Sequence, residues 1–287
     1  MTARDTTSPG DPRRGPRSPA GPGGTSAFVV LAAISAAFLG LPVGFLVVRA
    51  VLGGSLVSAL GSTAVIDALA LSLATTAVSL VVTVMLGTPL AFLLARRRFR
   101  GSSLLEAIVD LPIVLPPSVA GLALLLVFGR TGFLGAPLAP FGLMIPFTTL
   151  AVVVAQVFVA APFFIRSARA GFAAVDRDLE DAARVDGAGE AAVVRFVTIP
   201  LAAPALAAGL VMSWARALGE FGATIMFAGS LGGRTQTLPL VVYGEFQAGD
   251  LDGSIAAAAI LVLAAVGVLF AVRSLRWGRA LDLRAGG

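Results

Sequence analysis

The sequence predicts an all-α membrane protein with six transmembrane helices and both termini in the cytoplasm. Three observations predict it. Of 287 residues, 57% are hydrophobic and only 13% charged, whereas a soluble domain carries about a quarter charged residues. The charges are gathered between long apolar runs, and the arginines alternate between rich and poor segments along the chain. A bundle of spans of about 20 residues with short connections accounts for the whole length as one membrane domain.

Residues 1–26 are rich in Pro, Gly, Ser, Thr and Arg and nearly lack large apolar side chains. Such a segment cannot bury enough surface to offset its ordering entropy and is expected to be a disordered cytoplasmic tail. Arg13-Arg14 is similar to a twin-arginine signal, but Gly15-Pro16 follows and the apolar run from Ala27 is longer than a signal-peptide core. A retained first helix with its outer loop is therefore expected over 27–63. Its apolar run reaches Val48. The second span covers Ala68–Ala95 and the third Leu111–Gly129. The fourth runs from near Pro146 to Ile165. The fifth runs from Phe196 to Ala215 and on past Arg216, and the sixth covers Gly253–Val272. Each can cross a hydrocarbon core of about 30 Å at roughly 1.5 Å per residue. Barrel strands would alternate apolar and polar residues, which these runs do not.

Orientation follows from the arginines, because cytoplasmic flanks collect positive charge. With the first tail inside, 17 arginines lie in inner segments and three, Arg49, Arg130 and Arg234, in outer ones; Arg216 lies within the fifth span. The longest inner loop is then Ser167 to about Ile199.

Composition also excludes functions. The net charge of +5 is not gathered on a solvated face, so no nucleic-acid partner is expected. All 21 basic residues are Arg, and the chain has no Lys, His or Cys. Zinc sites, thiol nucleophiles, histidine acid–base chemistry and disulfides are thereby excluded, so neither a metal nor a catalytic residue is expected. A phosphate-binding loop needs a Lys to reach the β and γ phosphates. If ATP drives this chain, another subunit must bind it.

Pro112, Pro116 and Pro117 fall within the third span, where neighbouring helices can satisfy the carbonyls that proline frees. A kinked or broken helix lining a pathway and a simple packing kink both remain open. Further on, Arg216 and Glu220 place two charges in the fifth span, where charges are costly and face a partner or a cavity. Their spacing of four allows a salt bridge, although Arg before Glu is the less favourable order on a helix. The pair is either structural or a gate in which Glu220 neutralises Arg216 in one state and releases it to face an anion in another. Gly219 and Gly222 would permit the close helix approach that such a gate requires, and Thr224 completes this candidate translocation pathway.

The long inner loop carries a denser pattern. Asp176 can cap a short helix whose first turn is acidic, Ala182 and Ala183 leave its surface flat, and Gly187 can end it in a left-handed conformation. A second short helix can follow until Pro200 opens the fifth span. The residues alone also allow a plain connector. Gly187-Ala188-Gly189-Glu190-Ala191-Ala192 imitates a dinucleotide fingerprint, but it follows a helical segment and not a strand.

Asp181-Ala182-Ala183, then Gly187, then Ile199-Pro200 resembles the "EAA" motif of type I ABC-importer permeases, E-A-A-x3-G-x9-[IV]-x-[LI]-P. Asp181 stands at the usual Glu position, with Glu180 beside it. The resemblance implies that this loop is the coupling helix that docks on a cytoplasmic ATPase subunit, with Glu180, Asp181, Ala182, Ala183, Gly187, Ile199 and Pro200 as its residues. Leu111–Gly121 with Phe128-Gly129-Arg130-Thr131-Gly132, Arg216–Gly229, and Gly233–Leu240 are similar to the molybdate permeases of this family; sulfate permeases share a looser form of the segment around Glu220. The resemblance extends over 64–279, the type-1 permease domain, and leaves 280–287 as a cytoplasmic tail. It implies a homodimer in membrane lipid, ATP and Mg bound only by the partner ATPase, and an extracellular or periplasmic binding protein that delivers an oxyanion: molybdate, or tungstate or sulfate. An ion-coupled secondary transporter and an intramembrane enzyme are the rivals. The first would show internal repeats, and the second a nucleophile or metal cluster within the spans; the sequence displays neither.

Overall fold

The computed structural model describes residues 22–97 and 99–285, and these fall into two units divided between Phe45 and Leu46. Among the described residues the ordered elements are helices only. The first unit is the body of α1 (Pro22–Leu52), whose apolar stretch Ala27–Leu52 is long enough to cross a membrane. The helix begins at Pro22, inside the segment expected to be a tail, because proline suits the first helical position. The remainder of that tail, residues 1–21, lies outside the described residues.

In the second unit α2 (Ser55–Leu60) leads into α3 (Thr63–Arg96). The expected third span is not one rod. It is α4 (Ser102–Val114) and α5 (Pro117–Phe128), turned through 118° at the break. Proline forces the preceding residue out of the helical region, and here two prolines act in series: Leu115 and Pro116 both adopt extended ψ values, 134° and 135°. Pro117 then starts α5 at a position that needs no N–H. Pro112 is absorbed inside α4, so the paired prolines break the span.

Short turns, α6 (Gly135–Leu138) and a 3₁₀ turn at Ala139–Phe141, precede α7 (Thr149–Ala174), whose N-terminus Thr148 caps by accepting from Ala151 N. The inner loop forms α8 (Arg177–Val185) and α9 (Glu190–Val193). A π-helical turn, Val194–Thr198, joins α9 to α10 (Ile199–Leu218), so the helix that carries the fifth span runs on unbroken from its exposed start at Glu190 to Leu218. The π turn has a local cause: Pro200 cannot donate to Phe196, and its ring crowds that carbonyl, which lies within the widened turn. α11 (Gly222–Phe227), α12 (Leu238–Gln247) and α13 (Leu251–Ala285) complete the chain. α13 carries the residues expected to begin a tail at 280 on to Ala285, through good helix formers such as Leu, Arg and Ala. Counting the broken pair as one span gives the six that the sequence predicts.

The centre of the second unit is α3, α7 and α10. Ala91, Phe164, Ala168, Phe172 and Ala202 form a buried cluster there, and Phe92 meets Phe172 edge to face with ring centroids 5.6 Å apart. Lipid supplies no hydrophobic drive between helices, so small residues and hydroxyls hold them. A Cβ at Gly209 would lie 2.7 Å from Ser167 Cβ, and Ser167 and Ser213 donate across the same seam to the carbonyls of Ala205 and Ala160. α5 and α11 pack together on the N-terminal half of α7 through Ala120, Leu124, Ala223 and Phe227. α2, α3, α12 and α13 share a separate cluster that includes Val65, Leu238 and Ile260.

Candidate functional site

The inner loop builds a small helix that is almost entirely surface. Asp176 caps α8 by accepting from Asp178 N, and its first turn carries Asp178 and Glu180, where the helix dipole favours negative charge. At the other end Gly187 takes φ +92°, and the amides of Gly187 and Ala188 bond back to the carbonyls of Arg184 and Ala183. This is the glycine-terminated turn that satisfies the last carbonyls of a helix. Ala182, Leu179 and Val185 are exposed, Val185 at 87%. The outward face is thus flat, apolar at two points and rimmed by charge.

Glu180 is the only buried residue of α8. One of its carboxylate oxygens lies 2.6 Å from Arg96 Nη2, at the end of α3, and accepts from Thr198 Oγ1 at 2.6 Å, at the end of the π turn. Arg96 Nη1 also donates to the carbonyl of Val175, which closes α7. Asp181, at the motif's acidic position, is exposed and pairs with Arg184 at 2.6 Å. The acidic residue that ties this loop to the bundle is therefore Glu180, one position earlier. Arg184 reaches Glu190 as well, with Nε 2.7 Å from Oε1. That guanidinium holds the Glu190 carboxyl below its ordinary value, with a small coulombic contribution from Arg97. Ile199 and Pro200 open α10, as the motif implies.

At the far end of α10 the expected single helix is broken. α10 stops at Leu218, with Gly219 as its C-cap, so Glu220 lies in the turn before α11. Arg216 in the last turn pairs with Glu220, whose other oxygen accepts from Ala223 N at 2.7 Å. The Arg-then-Glu order, unfavourable on one helix, is favourable across a break: the cation meets a helix C-terminus and the anion an N-terminus. Glu220 is fully buried, whereas the Arg216 side chain is 28% exposed. Gly222 does provide close approach, since a Cβ there would lie 2.6 Å from Pro117 Cβ of α5; Gly219 meets only its own helix. Thr224 is buried, and its hydroxyl has no partner among the described residues.

Sequence reasoning missed Arg96, Thr198 and Gln156. Buried Gln156 on α7 accepts from Ser79 on α3 at 2.9 Å and donates to Thr76 and to the carbonyl of Ala217, beside Arg216. A lone amide in an apolar span was a legible signal. Arg96 was not distinguishable from its neighbours in a basic run. Of the segment Gly233–Leu240, residues 233–237 form a loop organised by buried Thr235, which accepts from Leu231 N and donates to Gly229 O, and Leu238 opens α12 with its N–H donated to Ser72 of α3. It serves the packing of the subunit.

The family described as the binding-protein-dependent transport system inner membrane component matches residues 87–277. The chain belongs to that family. As a permease of this family it is a multi-pass membrane component of an importer. It is 44% identical over 205 residues, 71% of this chain and 77% of the relative, to the molybdenum transport system permease protein ModB of Mycobacterium tuberculosis. It is 37% identical over 195 residues, 67% of this chain and 70% of the relative, to the sulfate transport system permease protein CysT of Salmonella typhimurium. Among solved structures, a bacterial ABC transporter involved in alginate import covers 88% of the permease and 94% of its own chain, with a TM-score of 0.70 at 18% identity. The MetNI methionine ABC transporter aligns over 74% of the permease and 94% of its own chain, with a TM-score of 0.58 at 22% identity. Both likenesses establish the fold.

Proposed function

We propose that the permease imports molybdate as a homodimer, driven by separate cytoplasmic ATPase subunits that seat on α8 and fed by an external oxyanion-binding protein. The observation that carries this reading is the construction of α8: a capped helix, bare on its outward face and fixed to the membrane helices at one buried point. A connector would need neither the flat face nor the fixed root. ATP and Mg belong to the partner ATPase, since this chain has no Lys for a phosphate loop. Nucleotide can drive transport only by binding one state of the assembly more tightly than another, and a docked α8 is how that preference reaches the spans. With α8 inside, both termini of a six-span chain lie in the cytoplasm, in line with the arginine distribution.

Molybdate is favoured over sulfate by the higher identity to molybdenum permeases, and tungstate shares its charge and shape. No bond of the oxyanion is broken. At the outer end of α10, Arg216 is the partly exposed cation that can face a passing anion, while Glu220 stays buried and keeps the α10–α11 turn in place. Pro117, with Gly222 seated on it, positions α5 beside that turn.

The test is uptake of labelled molybdate by vesicles holding the permease, its ATPase and its binding protein, with tungstate and sulfate as competitors. ATP-dependent uptake displaced by tungstate and not by sulfate is expected. Preferential uptake of sulfate would reassign the substrate, and uptake that persists without the ATPase would point to an ion-coupled carrier.

A further inference from the structure

We propose that Arg96, Glu180 and Thr198 form the joint through which movement of α8 is delivered to α3 and α10 together, making Arg96 and Thr198 positioning residues for transport. This rests on the reading of α8 as the ATPase-docking helix.

A nine-residue helix that passes force to a membrane bundle needs a stiff attachment, and α8 buries a single residue. That residue is a carboxylate. A hydrophobic anchor would be non-directional and able to slide, whereas a charge-assisted hydrogen bond is short and fixes direction. Glu180 has two such partners at 2.6 Å on different helices, Arg96 from α3 and Thr198 from the root of α10. The site is nearly closed, with side-chain exposures of 11% for Arg96 and 7% for Glu180, so water competes little for these bonds. Arg96 extends the joint to the α7–α8 corner through the Val175 carbonyl.

The surroundings suit a moving part. Thr198 ends a π-helical turn, a local widening that recurs at functional sites. Its hydroxyl also approaches the Val193 carbonyl at 3.5 Å, across that turn. A displacement of α8 therefore acts on the π turn that leads into α10 and on the end of α3. Arg96 Nε is buried with no acceptor among the described residues.

The test uses the whole complex of permease, ATPase and binding protein in proteoliposomes, and measures ATPase retained, ATP hydrolysed and labelled molybdate imported. Thr198→Val keeps the side-chain volume and removes the hydroxyl; Thr198→Ser keeps the hydroxyl. The Ser variant is expected to import as the parent does. The Val variant is expected to retain the ATPase but import about tenfold less oxyanion per ATP, the size of effect that follows from losing a hydrogen bond to a buried charge. Import per ATP equal to the parent's in the Val variant, with the ATPase retained, overturns the joint and leaves the importer reading intact. A parent complex that retains no ATPase overturns both. A distance measurement covers the case in which the Val variant does not accumulate. The chain has no native cysteine, so spin labels at Val185→Cys on α8 and Leu93→Cys on α3, both in one copy of the dimer with the other copy unlabelled, report whether the two move as one within that copy. A single narrow distance, the same with and without ATP, is expected; a distance that changes with nucleotide overturns the joint.

Discussion

Two buried glutamates stand at opposite ends of α10, and each has an arginine. Glu220 takes Arg216 from four residues before it and caps the next turn of the same stretch of chain. Glu180 takes Arg96 from 84 residues away, and a hydroxyl from 18 residues ahead. The near pair shapes a turn, and the distant one fixes how three helices meet. Their different ranges explain why one was visible in the sequence and the other was not, and why their loss has different consequences.

The largest expected effect is at the distant pair. Arg96→Met leaves Glu180 charged and buried, and breaking such a pair from one side costs about 3–5 kcal/mol. Thermal unfolding of the purified complex should show it, and Arg96→Met combined with Glu180→Leu should recover much of the stability but not the uptake. An unchanged unfolding temperature for Arg96→Met would remove the contrast between the two glutamates.

Next is Gly187, whose φ of +92° is open to substitution in space but not in backbone, since nothing lies within 4 Å of a Cβ there. Gly187→Val should cost about 1–2 kcal/mol locally and abolish uptake in a chain that still inserts. Wild-type uptake in this variant would reduce α8 to a connector.

Glu220→Gln should be milder. The amide oxygen can still accept from Ala223 N, but the buried side chain loses its charged contact with Arg216, so about 1.5 kcal/mol is expected, the low end for a bond between charged groups. A loss as large as that of Arg96→Met would show that the near pair does more than shape a turn.

The smallest effect concerns the exposed clamp between Arg184 and Glu190. Its carboxyl titrates below the ordinary 4.5, so whatever the clamp contributes is present above that value and is lost only as pH falls through the lower folded value. Hydrogen exchange at the α8–α9 junction should be flat in protection from pH 7 to 5 and loosen below 4.5. Loosening between 7 and 5 would contradict the pairing.

Much of the fold was legible because lipid imposes simple rules. Apolar runs gave the spans, and the caps at Asp176 and Gly187 gave α8 with nearly its true ends. Residues 64–279 resembled the family across the region that builds α3 to α13. What could not be read was the result of tertiary choice. The sequence did not show that the broken span would seat Pro117 against Gly222 of α11. The turn after Leu218 was hidden because Gly219 is tolerated inside helices as well as at their ends. Arg96 sat in a basic run whose other members fit a simple topological signal, and only the fold separated it from them.

On this reading α8 faces the cytoplasm and receives an ATPase. One photo-crosslinking residue placed at Val185, 87% exposed on that helix, and another at Ser230, exposed in the loop after α11, would test this. In intact cells Val185 should capture the ATPase subunit and Ser230 should not. Capture of the ATPase from Ser230, or of the external binding protein from Val185, would place α8 on the wrong side of the membrane for an ATPase dock.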